Sequence, residues 1–199
     1  MLGNNFETLN QENDYSNESR KIGIYEKYIY NHPMVLKFDY SLFKKPNFII
    51  NDENNNPLFK FNKKNTGKIL DMNDNVILNF RLEIVNSLDM KLHTYVDNEI
   101  FNKNIIEISR IDKYRYQLIL LNNEKTKIKL LVIGENSKNL KIYYYKDLEK
   151  VEICDNSYND GENTLRIKPG VDILLAFSVI FSILQLHEAN NLFLGKPLK

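Results

Sequence analysis

Residues Val171 to Ala189 read VDILLAFSVIFSILQLHEA, and this segment constrains the fold more than any other. Fourteen residues separate Asp172 from His187, and only Ser178, Ser182 and Gln185 among them are polar. Those three recur at i, i+4 and i+7, one narrow stripe on a helix. The rest of the circumference is apolar, and a helix apolar almost all round has to be buried. Two environments bury such a helix, a bilayer or the protein's own core. A spanning helix needs about 20 mostly apolar residues for roughly 30 Å of hydrocarbon. A run of fourteen extends only about 21 Å. The length therefore favours a core helix over about 171–188, with Ile173, Leu174, Phe177, Ile180, Phe181 and Leu184 as its buried side chains.

What surrounds that helix is legible upstream. From about residue 21 to 168 the chain reads as short strands separated by polar turns. Met34 to Tyr40 alternates Leu36, Phe38 and Tyr40 against Val35, Lys37 and Asp39. Phe48-Ile49-Ile50 leads into a run of Asn and Asp and then into Pro57 to Phe61. About twenty residues later Lys68-Ile69-Leu70, Asp71 to Asn75 and Val76 to Phe80 repeat the design. Both units read as β-hairpins, since Asn and Asp tolerate turn backbone and bond their own main chain. Further strands are expected at Leu88–Val96, Ile105–Ile111, Tyr114–Leu121, Lys127–Ile133, Leu140–Tyr145 and Val151–Cys154. Regular short strands without intervening helices argue for an all-β sandwich or barrel. A closed sheet of more than about eight strands has a lumen to fill, and an apolar helix fills it while leaving no sheet edge exposed.

The 199 residues suit one domain with short tails. An acidic, Asn-rich stretch over 1–20 reads as a flexible tail, residues 21–190 as the folded domain and 191–199 as a short C-terminal tail. The chain has 29 Asn, 22 Lys and 22 Ile but 2 Ala, the bias an AT-rich genome writes, so one Asn or Lys carries little information. A net charge of +1 gives no reason to expect nucleic acid. Cys154 is the only cysteine, so no intrachain disulfide forms. Together with an N-terminus lacking an apolar signal segment, this points to the cytoplasm.

The sequence carries few chemistry-bearing motifs. Asp155 to Glu162 has the flavour of a calcium loop, but an EF-hand needs Gly at its sixth position and Glu at its twelfth. Here those positions are Asp160 and Arg166, so a solvated turn is the better reading. His32, His93 and His187 lack neighbouring ligands at metal spacing. His187 reads as a cation in the last helical turn, complementing the helix dipole. Cys154 reads as a buried strand residue. There is no phosphate-binding glycine loop and no nucleophile elbow. No catalytic residue, metal or cofactor is therefore expected. One charge asymmetry stands out: Lys44, Lys45, Lys60, Lys63, Lys64 and Lys68 lie within 25 residues that hold only Asp52 and Glu53 as acids. Lysines gathered on one rim would meet an anionic lipid headgroup at roughly 1 kcal/mol each.

Three segments carry a family resemblance. FIINDENNNPLFKF (48–61) and GKILDMNDNVILNFRLE (67–83) look like successive hairpins of the LURP-one-related family, and TLRIKPGVDILLAFSVIFSIL (164–184) looks like its last strand, Pro-Gly-x-Asp turn and apolar helix. The resemblance spans about 34–190. That family is grouped with the tubby C-terminal domain and the phospholipid scramblases. The resemblance implies a closed antiparallel barrel of about twelve strands around a central C-terminal helix. The family's turn glycines are mostly Asn here, at Asn54 to Asn56 and Asn75, and Asn tolerates left-handed backbone. Tubby domains bind phosphoinositides through basic side chains outside the barrel. The expected function is thus a non-enzymatic, monomeric module, peripheral at a membrane and bound to an anionic phospholipid. The alternatives are a scaffold for a protein partner, or a scramblase-like protein anchored by the C-terminal helix.

Overall fold

Period-two alternation is what turns this chain into a wall. In β3 (Pro57–Asn62) Phe59 and Phe61 are buried while Lys60 and Asn62 are not, and in β12 (Glu162–Ile167) Asn163, Leu165 and Ile167 are buried. The computed structural model describes residues 21–23, 25–39, 47–62, 67–85, 89–95, 104–121, 127–146 and 149–193. The remaining strands are β1 (Met34–Asp39), β2 (Asn47–Asn51), β4 (Gly67–Leu70), β5 (Val76–Ile84), β6 (Asp89–Tyr95), β7 (Asn104–Asp112), β8 (Arg115–Leu121), β9 (Lys127–Gly134), β10 (Leu140–Lys146) and β11 (Glu149–Asn159). Each pairs antiparallel with its neighbour in sequence. The ring closes where β1 meets β12, in continuous register from Met34↔Ile167 to Asp39↔Glu162.

Among the described residues there is one α-helix, α1 (Ile173–Phe193), and its first part lies inside this ring. Every side chain over 171–184 is buried, polar ones included. Its aromatic residues meet the wall on several strands. Phe177 stands edge-on to Phe38 of β1 at 5.2 Å, and Phe181 packs on Phe61 of β3 at 4.5 Å and Phe80 of β5 at 5.7 Å. Phe48 of β2 completes the cluster against Phe61 at 4.6 Å. Burying a side chain of this size contributes roughly 2–3 kcal/mol. The stripe serines are satisfied locally or enclosed: Ser178 Oγ donates to the Leu174 carbonyl at 2.7 Å, and Ser182 is 1% exposed. The six side chains picked from the sequence for the helix core, Ile173, Leu174, Phe177, Ile180, Phe181 and Leu184, are each 1% exposed or less. Among the described residues no helix is long and apolar enough to cross a membrane.

The helix begins and ends later than expected. Val171 and Asp172 instead form isolated bridges with Ile22 and Ile29. Gly170 takes φ +81°, a left-handed turn that glycine adopts without a Cβ penalty. Asp172 then caps the helix: its Oδ1 accepts the Leu174 and Leu175 N–H groups at 2.9 and 3.2 Å. Strand β11 is also much longer than Val151–Cys154 and absorbs most of the presumed solvated loop. Only Asp160 (φ 48°) and Gly161 (φ 94°) turn the chain, the left-handed pair of a tight hairpin.

Phe177→Asp places an unpaired charge in the lumen at a cost of several kcal/mol. The expected result is loss of the cooperative melt by near-ultraviolet circular dichroism. Phe177→Leu keeps the apolar contact and should still melt cooperatively at a reduced midpoint.

Candidate functional site

With the lumen occupied, side chains available to a ligand sit on the outer wall and at the two ends. The outer face of β2, β3 and β4 follows directly from alternation. Phe61 and Ile69 pair inward, so Lys60↔Leu70 and Asn62↔Lys68 pair outward, and Ile49↔Lys60 and Asn47↔Asn62 extend both tiers onto β2. Asn47, Ile49, Lys60, Asn62, Leu70 and Asp74 line an open cavity of about 270 Å³ across these strands. Lys60 and Lys68 are diagonal neighbours on that face, roughly 7–8 Å apart at the backbone. Lys60 Nζ also reaches the Asp74 carboxylate at 2.8 Å, so the cavity holds both a cation and its counterion.

Two turns beside this face are built alike. Asp52 Oδ1 accepts the N–H groups of Asn54 and Asn56 at 2.9 and 2.8 Å, and its Oδ2 accepts Asn56 Nδ2 at 2.9 Å. Nineteen residues on, Asp71 does the same with Asn73 and Asn75 at 2.8, 2.9 and 2.8 Å. The amide donated by Asn56 or Asn75 is the main reason that each carboxyl is held below its ordinary pKa. The left-handed residues are Asn55 (φ 64°) and Asp74 (φ 68°). The second of these corrects the expectation of Asn75. An Asp also serves there, since its short polar side chain tolerates the same backbone. Each turn is latched by a lysine from the strand before its hairpin, β1 or β3: Lys37 Nζ donates to Glu53 O at 2.9 Å and Asn55 Oδ1 at 3.2 Å, as Lys60 does to Asp74. Lys37 sits opposite Asn51 and Lys60 opposite Leu70, the residues just before the two aspartates.

A model of the LURP-one-related family matches residues 34–183, about three quarters of the chain. The chain belongs to the LURP-one-related family. No curated protein matches the sequence. The match begins at the first residue of β1 and ends inside the buried part of α1, so it takes in the twelve strands and the first half of the helix.

Of the six lysines marked by charge, this LURP-one-related barrel brings Lys60 and Lys68 onto one face. Lys44, Lys45, Lys63 and Lys64 lie outside the described residues. Sequence reasoning missed Asn47, Ile49, Asn62 and Leu70 as neighbours of Lys60, and Lys37 as a latch. The outward phase of each strand carries them, but cross-strand register had to be known to place them together. Among the described residues no group of three His, Cys, Asp or Glu side chains is placed to hold a metal. His32 is exposed, His93 of β6 bonds Glu83 of β5, and Cys154 is buried with its thiol pushed well above the usual pKa by desolvation.

His187 requires a correction. It is not in the last turn, because α1 runs on to Phe193, and it is 7% exposed. Its Nε2 lies 3.1 Å from the Tyr116 hydroxyl on β8, with Tyr114 and Tyr116 rings 5.5 and 5.8 Å away. Burial first, then Arg110 and Lys113, lowers its pKa to about 4, so the ring is neutral at pH 7 and shares a hydrogen bond with the hydroxyl. Burial likewise raises Tyr116 to about 12. A folded pKa of about 4 against 6.5 in the unfolded chain means that the unfolded state binds more protons. This contribution is complete above pH 6.5 and is lost as pH falls toward 4. The loss has reached about 2 kcal/mol at pH 5. Urea unfolding at pH 7 and pH 5 should show that loss in the wild type and a smaller one in His187→Gln.

Proposed function

We propose that this LURP-one-related domain is a non-enzymatic binding module that attaches reversibly to an anionic phospholipid surface from the cytoplasmic side. The observation that carries the reading is the outer face of β3 and β4. There Lys60 and Lys68 share one surface, and Lys60 lines a cavity together with the apolar side chains of Ile49 and Leu70. A phosphate group has the charge to replace Asp74 at Lys60, and Asn47 and Asn62 offer amide donors at the same lip. Ile49, 47% exposed, is the apolar residue that would enter the headgroup region. Each lysine near an acidic surface contributes roughly 1 kcal/mol, so the attachment is weak and salt-sensitive.

Sedimentation with phosphatidylserine or phosphoinositide vesicles tests it. The wild-type chain should pellet at low salt and less at physiological salt, and Lys60→Glu with Lys68→Glu should pellet several-fold less. Absence of wild-type pelleting in either salt removes the proposal. A protein-interaction scaffold is the second reading, favoured by Ile84 and Val85 at the end of β5, which are 60% and 51% exposed. Under that reading, partner capture is lost in Ile84→Lys with Val85→Lys and unaffected by the lysine substitutions.

A further inference from the structure

The end of the barrel where α1 begins is covered by chain that precedes the family match. Residues 22–23 and 25–30 run across it as a strap. Ile22 is buried at 4%, donates its N–H to Gly170 O at 2.8 Å and accepts the Asp172 N–H at 2.8 Å. Gly170 N–H reaches Tyr30 O at 2.9 Å, and the Tyr25 N–H reaches Asp172 Oδ2 at 2.9 Å. Asp172 is fully buried, so its carboxylate depends on donors from both the helix and the strap. Three tyrosines of the strap, Tyr25, Tyr28 and Tyr30, pack on the core edge, and Tyr25 Oη reaches Thr94 Oγ1 at 3.3 Å.

We propose that this barrel end is a peptide-acceptor site, occupied in cis by the strap. The acceptor offers the N–H and C=O of Gly170, the N–H of Asp172 and the Asp172 carboxylate. All four are satisfied by backbone groups of the strap, the Ile22 N–H and C=O, the Tyr25 N–H and the Tyr30 C=O, with a 3-10 turn over Glu26–Tyr28 between its two isolated bridges to Val171 and Asp172. Its side-chain requirement is sharp at one position. A Cβ on Gly23 would stand 2.2 Å from Asp172 Cβ, so the acceptor demands glycine directly after the buried isoleucine. The occupant is this chain's own strap, a peptide with Ile-Gly, tyrosine two residues on and then a 3-10 turn over Glu26–Tyr28. The strap has no ladder within the barrel, and its path to β1 passes through the exposed residues Asn31, His32 and Pro33. It is therefore built to open as a unit, separately from the wall.

Hydrogen exchange on the full chain carrying Gly23→Ala tests this. Exchange at Gly170 and Asp172 should speed up by about tenfold or more, while the amides of β8 and β9 keep their wild-type rates. A synthetic peptide of residues 20–31, added in excess, should slow Gly170 and Asp172 back toward wild type, and the same peptide with Gly23→Ala should not. The proposal is overturned if β8 and β9 accelerate in step with Asp172, or if the variant fails to fold, since the strap is then part of one cooperative unit. Unchanged exchange in the variant, or a wild-type peptide without effect, overturns it equally.

Discussion

An α-helix without a polar face cannot be packed against one surface. It has to be enclosed, and the rest of this protein follows from that enclosure. A two-layer arrangement would leave about half of α1 in water. Twelve antiparallel strands closed on themselves give it apolar contacts on every side, through Phe38, Phe48, Phe61 and Phe80 at one stretch and Tyr116 at another. Closure and filling are one requirement seen twice. An empty ring of this size would leave cavities in a wall whose buried side chains are mostly Leu, Ile, Phe and Val.

The same enclosure decides where recognition can occur. The lumen is occupied, so polar chemistry is confined to the outer wall and the ends. At one end Asp172 gathers the helix start and the strap. Farther along the helix, His187 is kept neutral against Tyr116 beneath the Arg110 and Lys113 cations. On the outside, the tiers of β2 to β4 set lysine, asparagine and branched aliphatic side chains side by side.

The architecture was legible because its two signals are strong and one-dimensional. A fourteen-residue apolar run and a period of two both survive without any knowledge of neighbours, and the twin turns announce themselves as Asp-x-Asn-x-Asn. What was not legible depends on pairing. Lys60 and Leu70 are ten residues apart and directly opposite, and Lys37 serves a turn whose residues lie sixteen to eighteen positions away. His187 was misread because helix length was judged by hydropathy. The run loses its apolar character after Leu186, while the hydrogen-bonded helix continues to Phe193. The strap was invisible for a different reason. Ile22 and Gly23 look like ordinary residues beside a polar tail until the backbone of Asp172 is seen against them.

The pairing of β1 with β12 has a consequence for how the molecule is made. The two strands that seal the ring are separated by more than 120 residues, and the helix that fills it follows all twelve strands. During synthesis from the N-terminus, eleven strands emerge before the ring has its last member, and the whole inner face waits for a core that has not yet been translated. Long-range closure of this kind is slow, and the open intermediate presents apolar surface and unpaired edges together. Aggregation during synthesis is therefore a hazard built into this fold, and mutations in α1 would reduce yield as well as the stability of the finished molecule.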